Sequence, residues 1–408
     1  MKNSCLLLVM SLGAAAQSSG TLAELERMAL AANPALMQRA ADVRAAEGRV
    51  KQAGLYPNPV MGSSGEHIAG GPVLRGGTIG GFVEQRIVTA GKLGLARRSA
   101  DQTRQASLQM RESEKLRVLA ALRNLYYDAL AGARLLEVRK QMAELAERTA
   151  KTAAESANLG RADRPDVLAA QVEVQRSQLG VTLATQKLER TWREIAALTA
   201  EAAWIKAHPE LDGDLEALPM MNGEAMQNIY ANNPTIKAAQ FSTNAAMLSV
   251  DRARVEKIPD VMLRGGVRNN RELIAPGSEI GREGFFDIGV QLPLFNRNQG
   301  ALAAARAEAE HARLETDRLR MAYAQRFALV LNDFQNANST VKRYHDEMIP
   351  AATEAFELYL DNFGKMTATH MQVLATQRSL IQLQEDYVAA LLNAWRAVVE
   401  IDTLLERN

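Results

Sequence analysis

The chain says nearly everything twice. AANPALMQRAADVRAAEGRV, around Asn33-Pro34, is answered by ANNPTIKAAQFSTNAAMLSV, around Asn233-Pro234. Tyr56-Pro57 falls opposite Ile258-Pro259, and FVEQRIVTAGKLG opposite IGVQLPLFNRNQG, with Gln85 against Gln291 and Gly94 against Gly300. NLGRADRPDVLAAQ is matched by NFGKMTATHMQVLATQ, and TWREIAAL by AWRAVVEI, which sets Trp192 against Trp395. Ordered matches along both halves mean two copies of one large unit, which excludes a short-period solenoid. The copies occupy residues 17–200 and 224–408. Between them, residues 201–223 read as a linker, punctuated by Pro209, Gly213, Pro219 and Gly223.

Each copy has the same internal order. A helix is expected from about Thr21 to Gly54, then a Gly/Pro-rich break, then an unbroken helix from about Lys92 to Asn158 that turns at Gly160. Pro165 can open a further helix lasting to about Ala200. A helix of roughly 67 residues reaches about 100 Å, about the combined length of the two shorter ones. Leu119, Leu122, Tyr126, Ala129, Ala133 and Leu136 follow three-and-four spacing, the pattern of a coiled-coil seam. The Ala/Glu/Arg/Leu vocabulary fits long helices.

The breaks concentrate what helices avoid. Pro57–Gly91 and Pro259–Gly300 hold 16 of the 27 glycines and 6 of the 12 prolines. In the second break Val261, Leu263 and Val267 alternate with Met262, Arg264 and Arg268. Further on, Phe286, Ile288, Val290 and Leu292 alternate with Asp287, Gly289 and Gln291. Period-two alternation predicts half-buried strands. Strands are expected at about 57–68, 78–88, 259–269 and 284–295. NNRELIAPGSEIGRE is then a polar loop, and Ala69–Gly77 a glycine-rich one. The phase of the first hairpin is ambiguous: Ile79, Val83 and Ile87 share a face, whereas the repeat alignment favours the opposite one.

Strands of about ten residues can cross a bilayer at a tilt, and apolar-out, polar-in alternation suits a water-filled barrel. Four strands cannot close a barrel, and an open edge cannot sit in lipid. Three copies would supply twelve strands. The competing reading packs both hairpins against the helices of a soluble protein. Arg264, Asp287 and Gln291 are the candidate lumen residues, on alternation alone.

The amino terminus carries Lys2, an apolar run from Leu6 to Leu12 and Ala14-Ala15-Ala16, which reads as a secretory signal ending at residue 16; the other reading is an ordinary first helix. The only cysteine, Cys5, would leave with the signal. With 48 basic and 47 acidic residues the formal charge is +1, which argues against a nucleic-acid partner. No catalytic motif or phosphate loop is present, so no enzyme and no cofactor are expected. His67, His208, His311, His345 and His370 lack metal-ligand spacing. The methionines, Met220-Met221 included, are scattered, which suits packing.

In its duplicated helix–hairpin–helix plan, its paired Asn-Pro steps and the pattern from Leu159 to Gln171, the chain resembles the TolC-like outer membrane factors. AGLYPNPVM and EQRIVTAGKLGLARRSA are similar to the subgroup serving heavy-metal efflux pumps of the resistance–nodulation–division type. The resemblance implies a mainly α fold with a membrane β part. Four strands per chain would complete a twelve-stranded barrel in a homotrimer, continued by a coiled-coil periplasmic tunnel. It implies a passive exit duct joined to an inner-membrane pump through a periplasmic adaptor. The turns Leu159-Gly160-Arg161-Ala162-Asp163 and Asn362-Phe363-Gly364-Lys365 match the family's periplasmic tips, where the adaptor docks. Some members carry acids just after the second tip; here Gln372-Val373-Leu374-Ala375 has none, and Asp163 and Asp166 stand near the first tip beside Arg161 and Arg164. A duct for drugs or type I secretion, a soluble coiled-coil adaptor and a helical enzyme are the alternatives.

Overall fold

A computed structural model describes residues 21–67, 77–159, 163–201, 211–220, 226–275, 278–365 and 367–406. The expected signal with Cys5, most of the first hairpin loop, His208, Met221, and Gly160, Arg161 and Ala162 of the first turn lie outside the described residues. The chain forms two compact units. One comprises residues 1–36, 115–229 and 324–408, the other residues 37–114 and 230–323.

Both copies open on an Asn-Pro step, and chemistry explains why. Proline forces the residue before it out of the helical region and is itself a good first helical residue. Asn33 is accordingly extended at φ −70° and ψ 119°, so the single helix expected from Thr21 to Gly54 is two: α1 (Leu22–Ala32) and α2 (Pro34–Ala53). Asn33 Oδ1 accepts the Ala35 N–H. Asn233 does the same between α5 (Met226–Asn232) and α6 (Pro234–Val255), accepting from Thr235 and Ile236.

The long helix α3 (Lys92–Asn158) is unbroken and leads to α4 (Arg164–Thr199). Its counterpart is less regular. α7 (Gln299–Arg343) passes into a π-helical stretch, Tyr344–Met348, before α8 (Ile349–Gly364). Pro350 accounts for the interruption, since it has no N–H to give the preceding turn. The last helix is α9 (His370–Leu405). No described helix is long and apolar enough to cross a membrane.

In the first unit, Leu25 and Ala29 of α1, Val118, Leu122, Tyr126 and Ala129 of α3, and Trp192, Ile195 and Ala196 of α4 bury one another. The expected seam holds through Ala129 and then moves. Ala133 is exposed and Leu136 half-buried, while Ala131, Val138 and Met142 are buried. The shift has a partner: Ala131 packs against Val388 and Leu391 of α9, so α3 turns a second face inward where it meets a second helix. Trp395 stacks on Tyr127 at 4.0 Å and donates its indole N–H to Leu215 O at 2.8 Å. The described part of the linker is thereby fastened to the helices, and the Tyr126 hydroxyl also bonds Asp212 O.

The second unit holds a four-stranded antiparallel sheet in the order β1 (Val60–Glu66), β2 (Thr78–Ile87), β3 (Val261–Ala275), β4 (Ser278–Val290). β1 begins only after Pro59, because prolines cannot donate to a ladder. The second hairpin corrects the expectation of a polar loop at Asn269–Glu283. Its ladder runs on through Asn269↔Arg282 and Leu273↔Glu279 to Ala275↔Ser278, with irregular register after Asn270. Asn269, Glu279 and Arg282 on these rungs are exposed; their polarity marks contact with water, not the end of the strand. At the other end, β4 stops at Val290 and not near residue 295.

Candidate functional site: a two-faced sheet and two helix turns

Register decides which side chains share a face, since partners on adjacent antiparallel strands point the same way. One row reads Met61–Val83–Gly265–Phe286, the next Gln85–Leu263–Ile288, the next Ile87–Val261–Val290. This face is apolar and open: Val267, Phe286 and Ile288 are 69%, 66% and 63% exposed. The first hairpin's phase is settled in favour of alternation, with Ile79, Val83 and Ile87 on the apolar side. The sequence alignment set Gln85 against Gln291, an offset of 206. The feet of the two long helices, Gly91 (φ 68°) and Asn298 (φ 62°), are 207 apart. A slip of one residue exchanges faces, so the alignment was one residue out.

The opposite face is polar. Arg264 stands between Glu84 on β2 and Asp287 on β4. Its guanidinium lies 3.8 Å over the Phe82 ring, a cation–π contact. Next along, Phe82 and Phe285 flank Gly266, where a Cβ would come 2.1 Å from Gly81 O. Only glycine fits there beneath the Phe285 ring, as Gly62 does beneath the Phe82 ring. Arg268 pairs with Glu283 at 3.2 Å and Glu66 at 3.6 Å. Of the three candidate lumen residues, Arg264 and Asp287 are direct cross-strand partners. Gln291 sits one residue past β4, exposed in the elbow toward α7.

Sequence reasoning missed the knot beneath this sheet. Asp260 accepts from Arg86 Nη2 at 2.5 Å, Lys92 Nζ at 2.9 Å and the Thr89 N–H at 3.1 Å, while the Thr89 hydroxyl donates to Pro259 O at 2.7 Å. Asp260 and Lys92 side chains are each 7% exposed. Burial pushes the Asp260 carboxyl up, but the bonds from Lys92, Thr89 and Arg86 overcome it and hold the group at about 2. The knot ties the exit of the first hairpin to the start of the second. Its residues are 168 to 174 positions apart, so no local pattern announces it.

The two turns are fastened differently. At the first, Leu159 is exposed and Asp163 caps α4 through its backbone alone. At the second, Asn362, Phe363 and Gly364 are the last residues of α8 and Lys365 its cap, with Lys365 Nζ 2.5 Å from Asp361. Phe363 turns inward against Phe356, Val373 and Leu380. Gln372, which stands where an acid was absent, closes a capping box with Thr369. About ten residues in from each turn, buried Glu173 of α4 receives Arg378 of α9 at 2.7 Å, and about ten residues further on Arg139 of α3 bridges Glu385 and Gly180 O, both at 2.9 Å. These clamps were likewise invisible in sequence.

Among the described residues no group of three or more His, Cys, Asp or Glu could hold a metal ion. His67 faces Glu272 at 3.4 Å and His345 faces Asp346 at 2.8 Å.

Comparison with known proteins places this geometry. Residues 25–201 and 225–406 match the family described as Outer membrane efflux protein. The cobalt-zinc-cadmium resistance protein CzcC of Cupriavidus metallidurans is 25% identical over 388 residues, 93% of this chain and 88% of the relative. Protein CyaE of Bordetella pertussis is 26% identical over 77% of this chain and 69% of its own. Among solved structures, CusC superposes with a TM-score of 0.81 at 14% identity, covering 95% of this chain and 92% of that one.

Proposed function

Since the chain belongs to the outer membrane efflux protein family, whose members are outer-membrane channels of tripartite efflux systems and not enzymes, we propose that three copies form an exit duct for heavy-metal cations. The carrying observation is the sheet itself. It has an exposed apolar face, a polar face, and unpaired edges at β1 and β4. Unpaired backbone in hydrocarbon costs several kcal/mol per group, and ring closure by three chains removes both edges. In that ring the apolar face meets lipid, and Glu84, Arg264 and Asp287 face the water column, with Gln291 at its foot. The turns at residues 159–163 and 362–365 receive a periplasmic adaptor, through which a resistance–nodulation–division pump delivers the cargo. Similarity to a cobalt-zinc-cadmium resistance protein over 93% of the chain favours metal over drugs.

The test is deletion of the gene in a strain without a redundant duct, followed by profiling of tolerance to zinc, cobalt, copper and antibiotics. A several-fold loss of metal tolerance with unchanged antibiotic tolerance is expected. Drug hypersensitivity with unchanged metal tolerance overturns the choice of cargo.

A further inference from the structure

The knot at Asp260 has a counterpart position elsewhere in the duplicated plan, and there only neutral bonds form: Pro57 O accepts from Gln85 Nε2, Asn296 Oδ1 from the Asn298 N–H and Gln299 Oε1 from the Arg297 N–H. Within the chain, the elbow leaving β2 (Arg86 to Lys92) seats on the segment leading into β3 (Ile258 to Asp260). By the duplication, the elbow leaving β4 answers the first and the segment leading into β1 answers the second. The offset of 207 between helix feet sets Pro293, Asn296 and Gln299 against Arg86, Thr89 and Lys92. Asn58 stands against Asp260. None of these four can carry a charge.

Both surfaces also expose apolar side chains. Leu292, Leu294 and Phe295 are 68%, 64% and 92% exposed; Leu55 and Tyr56 are 59% and 62% exposed. They cannot cover each other within one chain, because β4 and β1 are opposite edges of the sheet, three strand spacings or about 14 Å apart. A second copy brings them together. Pairing β4 of one copy with β1 of the next continues the antiparallel alternation, and it sets the β4 elbow beside the next copy's lead-in as β2 is set beside β3.

We propose that Leu292, Leu294 and Phe295 of one copy cover Leu55 and Tyr56 of the next, forming an apolar and amide seam where the corresponding seam within each chain is ionic. The proposal rests on the trimeric reading above and adds its contact chemistry. The difference follows from the order of events. The Asp260 knot forms inside a folding chain and can bury ions whose partners are already tethered. A seam between chains starts from two hydrated surfaces, where stripping water from charges is costly and burying apolar area is favourable.

Thr89 touches Asp260 directly, so Asn296 should touch Asn58 of the next copy. The experiment uses the full chain with Cys5→Ser, treated with a short bismaleimide in membranes and analysed on denaturing gels beside mass measurement in detergent. Asn58→Cys with Asn296→Cys is expected to give bands of two and three linked chains, and each single variant none. A second pair, Asn58→Cys with Gln299→Cys, reports the same contact through the position answering Lys92. A three-chain particle in which neither pair links overturns the seam and leaves the trimer standing. A faster-running monomer, linked within itself, also overturns the seam. A particle of one chain overturns the trimer together with it.

Discussion

Asp260 shows what one carboxylate does at a joint. Standing just before β3, it joins the end of β2, the elbow that follows and the foot of α3 with bonds of 2.5 to 3.1 Å. Its folded value, about 2, lies below the ordinary 3.8. The ionised form is therefore the one the fold favours, and the resulting stability is present above about pH 4 and disappears as pH falls through 2. The shift corresponds to about 2 kcal/mol at neutral pH. Asp260→Asn should lose at least that much at pH 7, since it leaves Lys92 buried with only Glu256 at 3.9 Å. Thermal unfolding in detergent at pH 7 and pH 2.5 checks this. The native protein should fall further between the two than the variant does; parallel curves would remove Asp260 from the account. Nothing near Asp260 in the sequence marks it out, because its partners arrive from far along the chain. Arg264 and Asp287 were legible, because a strand's alternation is written locally.

At the level of the elements, the sheet was readable in kind and misread in extent. Alternation located the strands of the second hairpin and the duplication those of the first, yet Asn269–Glu283 looked like a loop because its residues are polar, although strands leaving an apolar zone keep pairing in water. Conversely, Leu292 and Leu294 keep the alternation going past Val290, where the ladder has already ended. The first hairpin was ambiguous because the repeat alignment carried an error of a single residue, which matters little to a helix and inverts a strand. The two faces make opposite demands on substitution. Phe286→Arg puts a charge on the apolar face and should cost about 2–4 kcal/mol if it lies near the bilayer midplane. Its neighbour Asp287→Asn, on the polar face, should assemble as the native protein does. Heat-modifiable mobility of the membrane fraction reads both. Equal yields from the two variants would contradict the assignment of faces.

For the whole molecule, the duplication was the most legible feature, and the Asn-Pro steps, paired tryptophans and paired hairpins all descend from it. The copies have diverged where they are fastened. The first turn's helix begins on Asp163 with no side-chain bond, the second's on Thr369 in a capping box with Gln372. A side-chain cap is worth about 1 kcal/mol, so amides of Val167 and its neighbours in α4 should exchange hydrogen several-fold faster than those of Val373 in α9. Exchange mass spectrometry on the assembled protein measures this directly, and equal protection would show the caps to be equivalent. In a ring of three chains, yielding and braced turns would then alternate around the end that carries them. Its compliance would be threefold, not sixfold. Dilation of such an iris would begin with three leaves moving while the other three hold the rim.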